Sequence, residues 1–438
     1  MTRRSPASVL LSRASRAAPA RAGSARAGLL VVFALVCGGV LALASGALDP
    51  LLDRLRARLE GGSAPPTAAD SAGEAATTER EATRADATST DPVRDRPVAT
   101  IEAASPYDQN ERAVAAMDVG DLDAAIALLE EAVAARPDIE TFADNLGEAY
   151  LRRARGTNTD DPAAALADFD RAIEWTRDED RRSRITALRD RARVIAETEA
   201  EFVVQPTLHF TFKYDGTREE ILEGVEQLKI LLEDTYQEYG DLFRRRPVEA
   251  GEGRIEVVLY RAQGFDAVTG LGDWAGGIFD GTIRVPVANL RDARRLDRIR
   301  DVLRHETAHA FAHSIGGSKV PAWLNEGVAQ WLEDPAERDR DVLYARAFLG
   351  SLEEPLFPLS RITGGLTGWS DTAAIRRAYE QALAFTDYLV RQYGSDLVFE
   401  MVAACKEGGA EGASEHFRAR ILVDLDVVLQ DFAASLRD

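Results

Sequence analysis

Two fold classes follow one another in this sequence: an all-α, repeat-like region over residues 106–200 and an α+β region over residues 201–438, behind one segment long enough to span a membrane. Three observations predict this order. An uncharged apolar run from Ala27 to Leu48 follows an arginine-rich stretch, apolar residues at helical spacing recur in two similar copies after Tyr107, and beyond Phe202 strand-like runs come first and helices afterward.

Residues 1–26 carry Arg3, Arg4, Arg13, Arg16, Arg21 and Arg26 and no acid, and the 22 residues from 27 to 48 carry no charge. A helix crossing the hydrocarbon core needs roughly 20 apolar residues, and basic flanks stay on the cytoplasmic side. The expectation is a single-pass anchor with a cytoplasmic N-terminus and an extracytoplasmic body. A cleavable signal ending at Ala42-Leu43-Ala44 is the other reading, since small residues stand at the right place, although the run exceeds the usual signal core. Val36 before Cys37 argues against a lipoprotein site. The acidic excess lies beyond this region, in a chain whose net charge is −20. Such a body repels phosphate backbones and argues against nucleic acid as a partner.

Residues 49–105 read as a disordered tether, with no aromatic residue from Gly61 to Ser105. Between Tyr107 and Asp138, Ala113, Ala116, Gly120, Ala124, Ala125, Leu128, Leu129 and Ala132 mark a helix, turn, helix unit, and a looser copy runs from Phe142 to Trp175. The pattern resembles tetratricopeptide (TPR) repeats, whose period is about 34 residues. A charged helix from about Asp178 to Ala200 closes the stack. A groove for a protein partner and a plain packing spacer are equally compatible with two such units.

After Phe202 the strand-like runs are Phe202–Tyr214, Arg254–Tyr260 and Gly276–Val287, with a helix from Arg218 to Tyr239 between the first two. From Asp292 to Leu436 nearly everything reads helical. In Asp301–Ile315, free of Pro and Gly, His305 and His309 lie one turn apart on one face, where two imidazoles can grip one metal ion. Glu306 is too close to the first ligand to bind the same ion easily and is placed as general base toward an attacking water. Zinc suits nitrogen and oxygen ligands in a tetrahedron, and a catalytic site keeps three protein ligands, so a third is needed. Glu326, 17 positions after His309, projects from a second helix that Pro321 opens after the turn Gly316-Gly317-Ser318-Lys319. We take it as that ligand, for one Zn2+ ion.

These residues resemble the gluzincin metallopeptidases of the peptidase MA-like clan, in which H-E-x-x-H is followed by a glutamate ligand on the next helix. Trp323–Ala329 is similar to the block of the aminopeptidase branch. The resemblance spans roughly Phe202–Asp438, and its specific motifs occupy about 30 residues. It implies a zincin-like domain, a small sheet followed by a helical C-terminal subdomain, that hydrolyses peptide bonds. A metzincin would need Gly at 312 and His at 315, where this chain has Ala312 and Ile315.

The resemblance also implies that Trp274–Val285 supplies an edge strand pairing with substrate backbone, with Gly276, Gly277 and Ile278 as substrate-binding residues. A plain hairpin turned at Asp280-Gly281 is equally encoded there. Tyr379 is the candidate donor to the oxyanion, or else a core aromatic. Asn325 and Gln330 are candidate orienting residues near the metal helices, and His313 a candidate supporting or packing residue. One branch of the clan places Asp four residues after the glutamate ligand to hold the first His; Gln330 stands there, which leaves the partner of His305 open. The aminopeptidases' acidic Gly-x-Met-Glu-Asn block is missing before His305, so an endopeptidase, or an enzyme with a narrow substrate, is favoured. The rival functional reading is an anchored, non-catalytic repeat scaffold with a structural zincin-like domain.

Overall fold

The computed structural model describes residues 104–157, 161–247, 253–271, 276–366 and 369–437. Segments 1–26 and 27–48, the tether up to residue 103, and Trp274 and Ala275 lie outside the described residues. Among those described, no helix is long and apolar enough to cross a membrane.

The chain divides into two compact units, with the boundary between Glu197 and Thr198. The first is all helical: α1 (Pro106–Asp118), α2 (Leu122–Ala135), α3 (Glu140–Thr157), α4 (Pro162–Trp175) and most of α5 (Glu179–Glu199). Side chains define the helix starts. Ser105 Oγ accepts from Asp108 N while Asp108 accepts from Ser105 N, and Asp121 and Asp161 cap α2 and α4 by accepting from Ala124 N and Ala164 N. The core is built from small residues, Ala113, Ala125, Ala132, Ala149 and Ala172, around Leu129, Leu146 and Phe169, so neighbouring helices pack closely. Arg153 closes on the buried Asp168 through two bonds of 2.7 and 2.8 Å.

The second unit is α+β with a small mixed sheet. β1 (Val203–Pro206), β2 (Phe210–Tyr214), β3 (Ile255–Tyr260), β4 (Ile278–Phe279) and β5 (Ile283–Pro286) form one sheet in the order β1-β2-β3-β5-β4. The run Phe202–Tyr214 is therefore not one strand but an antiparallel hairpin, folded where Thr207 N donates to Phe210 O and Phe210 N to Thr207 Oγ1. The run Gly276–Val287 likewise splits into β4 and β5 around Gly281, whose φ of 99° suits glycine. β2, β3 and β5 are parallel, joined by α6 (Glu219–Phe243) and α7 (Ala262–Thr269).

Strand alternation gives the sheet two different faces. Phe210, Phe212, Tyr214, Val257, Leu259, Ile283 and Val285 point into the apolar core, which includes Ile221, Val225, Leu228, Leu232 and Tyr236 of α6. The opposite face carries Lys213, Glu256, Tyr260 and Arg284. There Arg284 meets Glu199 at 3.1 Å and Asp280 at 3.2 Å, Lys213 meets Glu256 at 2.8 Å, and the Tyr260 hydroxyl bonds both Glu199 and Arg284.

The remaining helices are α8 (Ala293–Gly316), α9 (Ala322–Glu333), α10 (Arg338–Gly350), α11 (Thr372–Tyr393), α12 (Ser395–Ile421) and α13 (Leu425–Ser435). Asp292 caps α8 through Arg295 N, and Gly317 at φ 70° ends it. α9 packs on both α8 and α11. Its contact with α11 runs through Gly327, where an added Cβ would lie 2.1 Å from Thr386 Oγ1 and 2.5 Å from Ala382 O. Thr386 can rotate but the Ala382 backbone cannot yield without parting the helices, so Gly327→Ala is expected to cost about 1–3 kcal/mol. Urea unfolding measures this, and an unchanged midpoint would contradict the packing described.

Candidate metal centre

α8 and α9 run past each other in opposite directions, so rising numbers on α9 meet falling numbers on α8. Glu326 faces His305 and His309, while Leu332 and Glu333 reach back to Arg304 and His305. His305, Glu306, His309 and Glu326 are all at most 2% exposed. Among the described residues, His305, His309 and Glu326 form the group of side chains able to hold a metal ion.

The donor atoms fit such an ion. The two imidazole Nε2 atoms lie 3.0 Å apart, and Glu326 Oε2 lies 3.7 Å from that of His305 and 3.6 Å from that of His309. Ligands at about 2.0–2.1 Å in a tetrahedron stand about 3.3 Å from one another, which this triangle approximates. Glu326 Oε2 is also buried without a hydrogen-bond partner. A buried carboxylate oxygen facing two ring nitrogens beyond hydrogen-bond reach is the arrangement a cation satisfies.

Electrostatics within the cluster are strong. Burial pushes the Glu326 carboxyl up, but the His309 and His305 rings outweigh it and hold the group at about 2. Burial likewise pushes His305 down, and the carboxylates of Glu326 and Glu333 reverse that, raising it to about 10. Without a metal, the site therefore keeps a proton on His305 that a metal must displace.

The other residues singled out in the sequence fall in several places. Glu306 faces Gly277: a Cβ there would stand 3.3 Å from Glu306 Oε1 and 2.7 Å from Val302 Cγ1, so the segment before β4 approaches α8 as only glycine allows. Ile278 is fully buried in β4, one of the two edge strands of the sheet, opposite Arg284; Gly276 is half-buried. Asn325 is buried beside Glu326 on α9. Tyr379 is buried on α11, and its carbonyl accepts from Gln330 Nε2 at 3.2 Å. His313 stacks edge-on with Phe279, ring centroids 5.8 Å apart. Gln330 reaches Glu326 O and Tyr379 O, tying α9 to α11 rather than holding His305.

The partner of His305 is Glu333, whose Oε2 lies 3.1 Å from His305 Nδ1. Sequence reasoning missed it. The available signal was helical spacing, since Glu333 follows Glu326 by seven residues, two turns along the same face. Arg304 braces this end: its guanidinium donates to the carbonyls of Leu332 and Glu333 and pairs with Glu238, and the Tyr239 hydroxyl donates to Arg304 O and Leu332 O.

Residues 255–437 match the family model of the Peptidase MA superfamily. That match begins at β3 and spans His305, Glu306, His309, Glu326 and Glu333, which supports a peptidase-like domain in this part of the chain. No curated protein matches the chain.

His305 is held above its ordinary 6.5, so its contribution to the stability of metal-free protein is complete below pH 6.5 and is lost as pH rises toward 10. Glu326 is held below its ordinary 4.5, so its contribution is complete above pH 4.5 and is lost as pH falls toward 2. Metal-free protein should therefore show its highest thermal midpoint between pH 4.5 and 6.5. Zinc affinity should rise about tenfold per pH unit above that window, as one proton is displaced. An affinity flat with pH would show that His305 carries no proton to displace.

Proposed function

We propose that the domain is a zinc-dependent peptidase, an endopeptidase of the gluzincin type, and that the observation carrying this reading is the buried His305, His309 and Glu326 triangle with Glu306 beside it. The match to the Peptidase MA superfamily supports it. A bound zinc ion supplies Lewis acidity that polarises a peptide carbonyl and lowers the pKa of water. His305, His309 and Glu326 hold that ion. Glu306 accepts the proton of the attacking water and returns it to the leaving amine, a general base and then a general acid. Tyr379 donates a hydrogen bond to the oxyanion. The substrate chain adds to the sheet at β4 along Gly276, Gly277 and Ile278, where the edge position of that strand supports backbone pairing. Endopeptidase rather than exopeptidase action is supported by the missing block for a substrate's free amine before His305.

We further propose that residues 27–48 remain as a membrane anchor with the two units outside, and that the helical unit takes a protein partner. The 22 uncharged residues behind six arginines support the first, and the two helix pairs of similar pattern the second. An uncleaved anchor leaves the mature protein in the membrane fraction at its full 47.7 kDa; a shorter mature chain with a new N-terminus near Ser45 overturns that part.

The catalytic reading is tested with full-length protein in mild detergent, by zinc content and cleavage of unfolded casein. Glu306→Gln is expected to keep its zinc and lose about 10²–10⁴-fold in rate. Glu326→Ala is expected to lose the zinc itself, and Tyr379→Phe to keep zinc and lose about 10²-fold. Well-folded wild-type protein without zinc, or a Glu306→Gln variant as active as wild type, would sink the proposal.

A further inference from the structure

We infer that Glu333 is the positioning residue of this metal centre, taking at the last turn of α9 the role that Gln330 cannot fill. The inference rests on the zinc reading above, and four observations carry it.

The first is chemical. Glu333 Oε2 lies 3.1 Å from His305 Nδ1. An ionised carboxylate only accepts, so the ring nitrogen facing it must carry the hydrogen. In a neutral imidazole that leaves the Nε2 lone pair bare, and Nε2 is the atom turned toward His309 and Glu326. Glu333 thus selects the tautomer that can bind a metal and fixes the plane of the ring.

Gln330 is the second. It sits four residues after Glu326, where a carboxylate could serve His305, but it is neutral and its amide nitrogen is committed to Glu326 O and Tyr379 O. The task passes to the next position on the same helical face.

Third, the end of α9 is held in place. Helix ends fray because their last carbonyls lack partners within the helix. Here Arg304, the neighbour of His305 in sequence, donates to the carbonyls of Leu332 and Glu333, and is itself fixed by Glu238 at 2.9 Å and Thr235 at 3.2 Å. The backbone of the positioning residue and the ring it positions are therefore joined through adjacent residues of α8.

Fourth, the two imidazoles are treated differently. His309 Nδ1 is buried without a hydrogen-bond partner, so its ring is oriented by packing, whereas His305 is oriented by a charge. Loss of Glu333 removes the carboxylate that faces His305 Nδ1.

The experiment compares wild type, Glu333→Ala and Glu333→Gln as full-length protein in detergent, reading zinc affinity by competition with a chelator. Glu333→Ala should lower affinity about 10–100-fold, and Glu333→Gln, which keeps an acceptor oxygen without the charge, should recover part of that loss. The metal-free thermal midpoint serves as the control for folding. In cobalt-substituted protein, the exchangeable Nδ1–H resonance of His305 should be visible in wild type and broaden in Glu333→Ala, a change that looser packing of α9 alone does not produce. Zinc-binding wild type beside an equally tight Glu333→Ala with an unchanged resonance overturns the positioning role alone. Wild type that binds no zinc overturns the peptidase reading and this inference with it.

Discussion

The second unit is organised around one electrostatic commitment: the carboxylate of Glu326, 2% exposed, set against two buried imidazoles. Taking an ionised carboxylate out of water costs several kcal/mol unless opposing charge meets it in good geometry. α8 and α9 must therefore approach in one register, and the surrounding structure enforces it. Gly317 stops α8, Pro321 starts α9, Arg304 clasps the far end of α9, and Gly327 lets α11 close over its back. Each of these features lies outside the ligand triangle, and each decides whether the triangle closes.

How much of this was legible follows from where the information sits. The His305, Glu306 and His309 cluster is local to one helical turn, and the restart at Pro321 is a strong signal, so the helix pair and its facing carboxylate could be read directly. Long-range satisfaction of polar groups could not. Glu333 stands just before Asp334-Pro335, which reads as the end of a helix and draws attention away from its last acid. Gln330 invites a role at the metal by position, yet its side chain serves a carbonyl 49 residues further on. The strands were blurred for another reason. The first hairpin turns through Thr207-Leu208-His209, where an apolar residue, Leu208, is 71% exposed and disguises the turn. β4 is only two residues long, too short to show a period.

The two units are held together internally by different means. The helical unit relies on alanines that let helices approach, on capped helix starts, and on the Arg153 and Asp168 pair. The second unit surrounds its sheet with large aromatics: Phe311 contacts Tyr236, Tyr239 and Phe243, with ring centroids 5.0 to 5.7 Å apart. Phe311 is two residues beyond His309, so the helix that carries both histidines is itself anchored in the apolar core. Residue-level precision at the candidate metal centre is thereby inherited from ordinary packing.

The charged face behind the sheet has its own consequence. Arg284 is 4% exposed and grips Asp280 at the hairpin tip and Glu199 at the close of α5, directly across from Ile278 in β4. This edge strand is thus fastened from the rear by ions as well as from the front by Phe279 in the apolar core. Because the penalty for dehydrating paired charges shrinks on warming while apolar burial gains little, this fastening keeps its relative strength as temperature climbs. The sheet margin nearest Glu306 is accordingly built to hold its shape under thermal agitation.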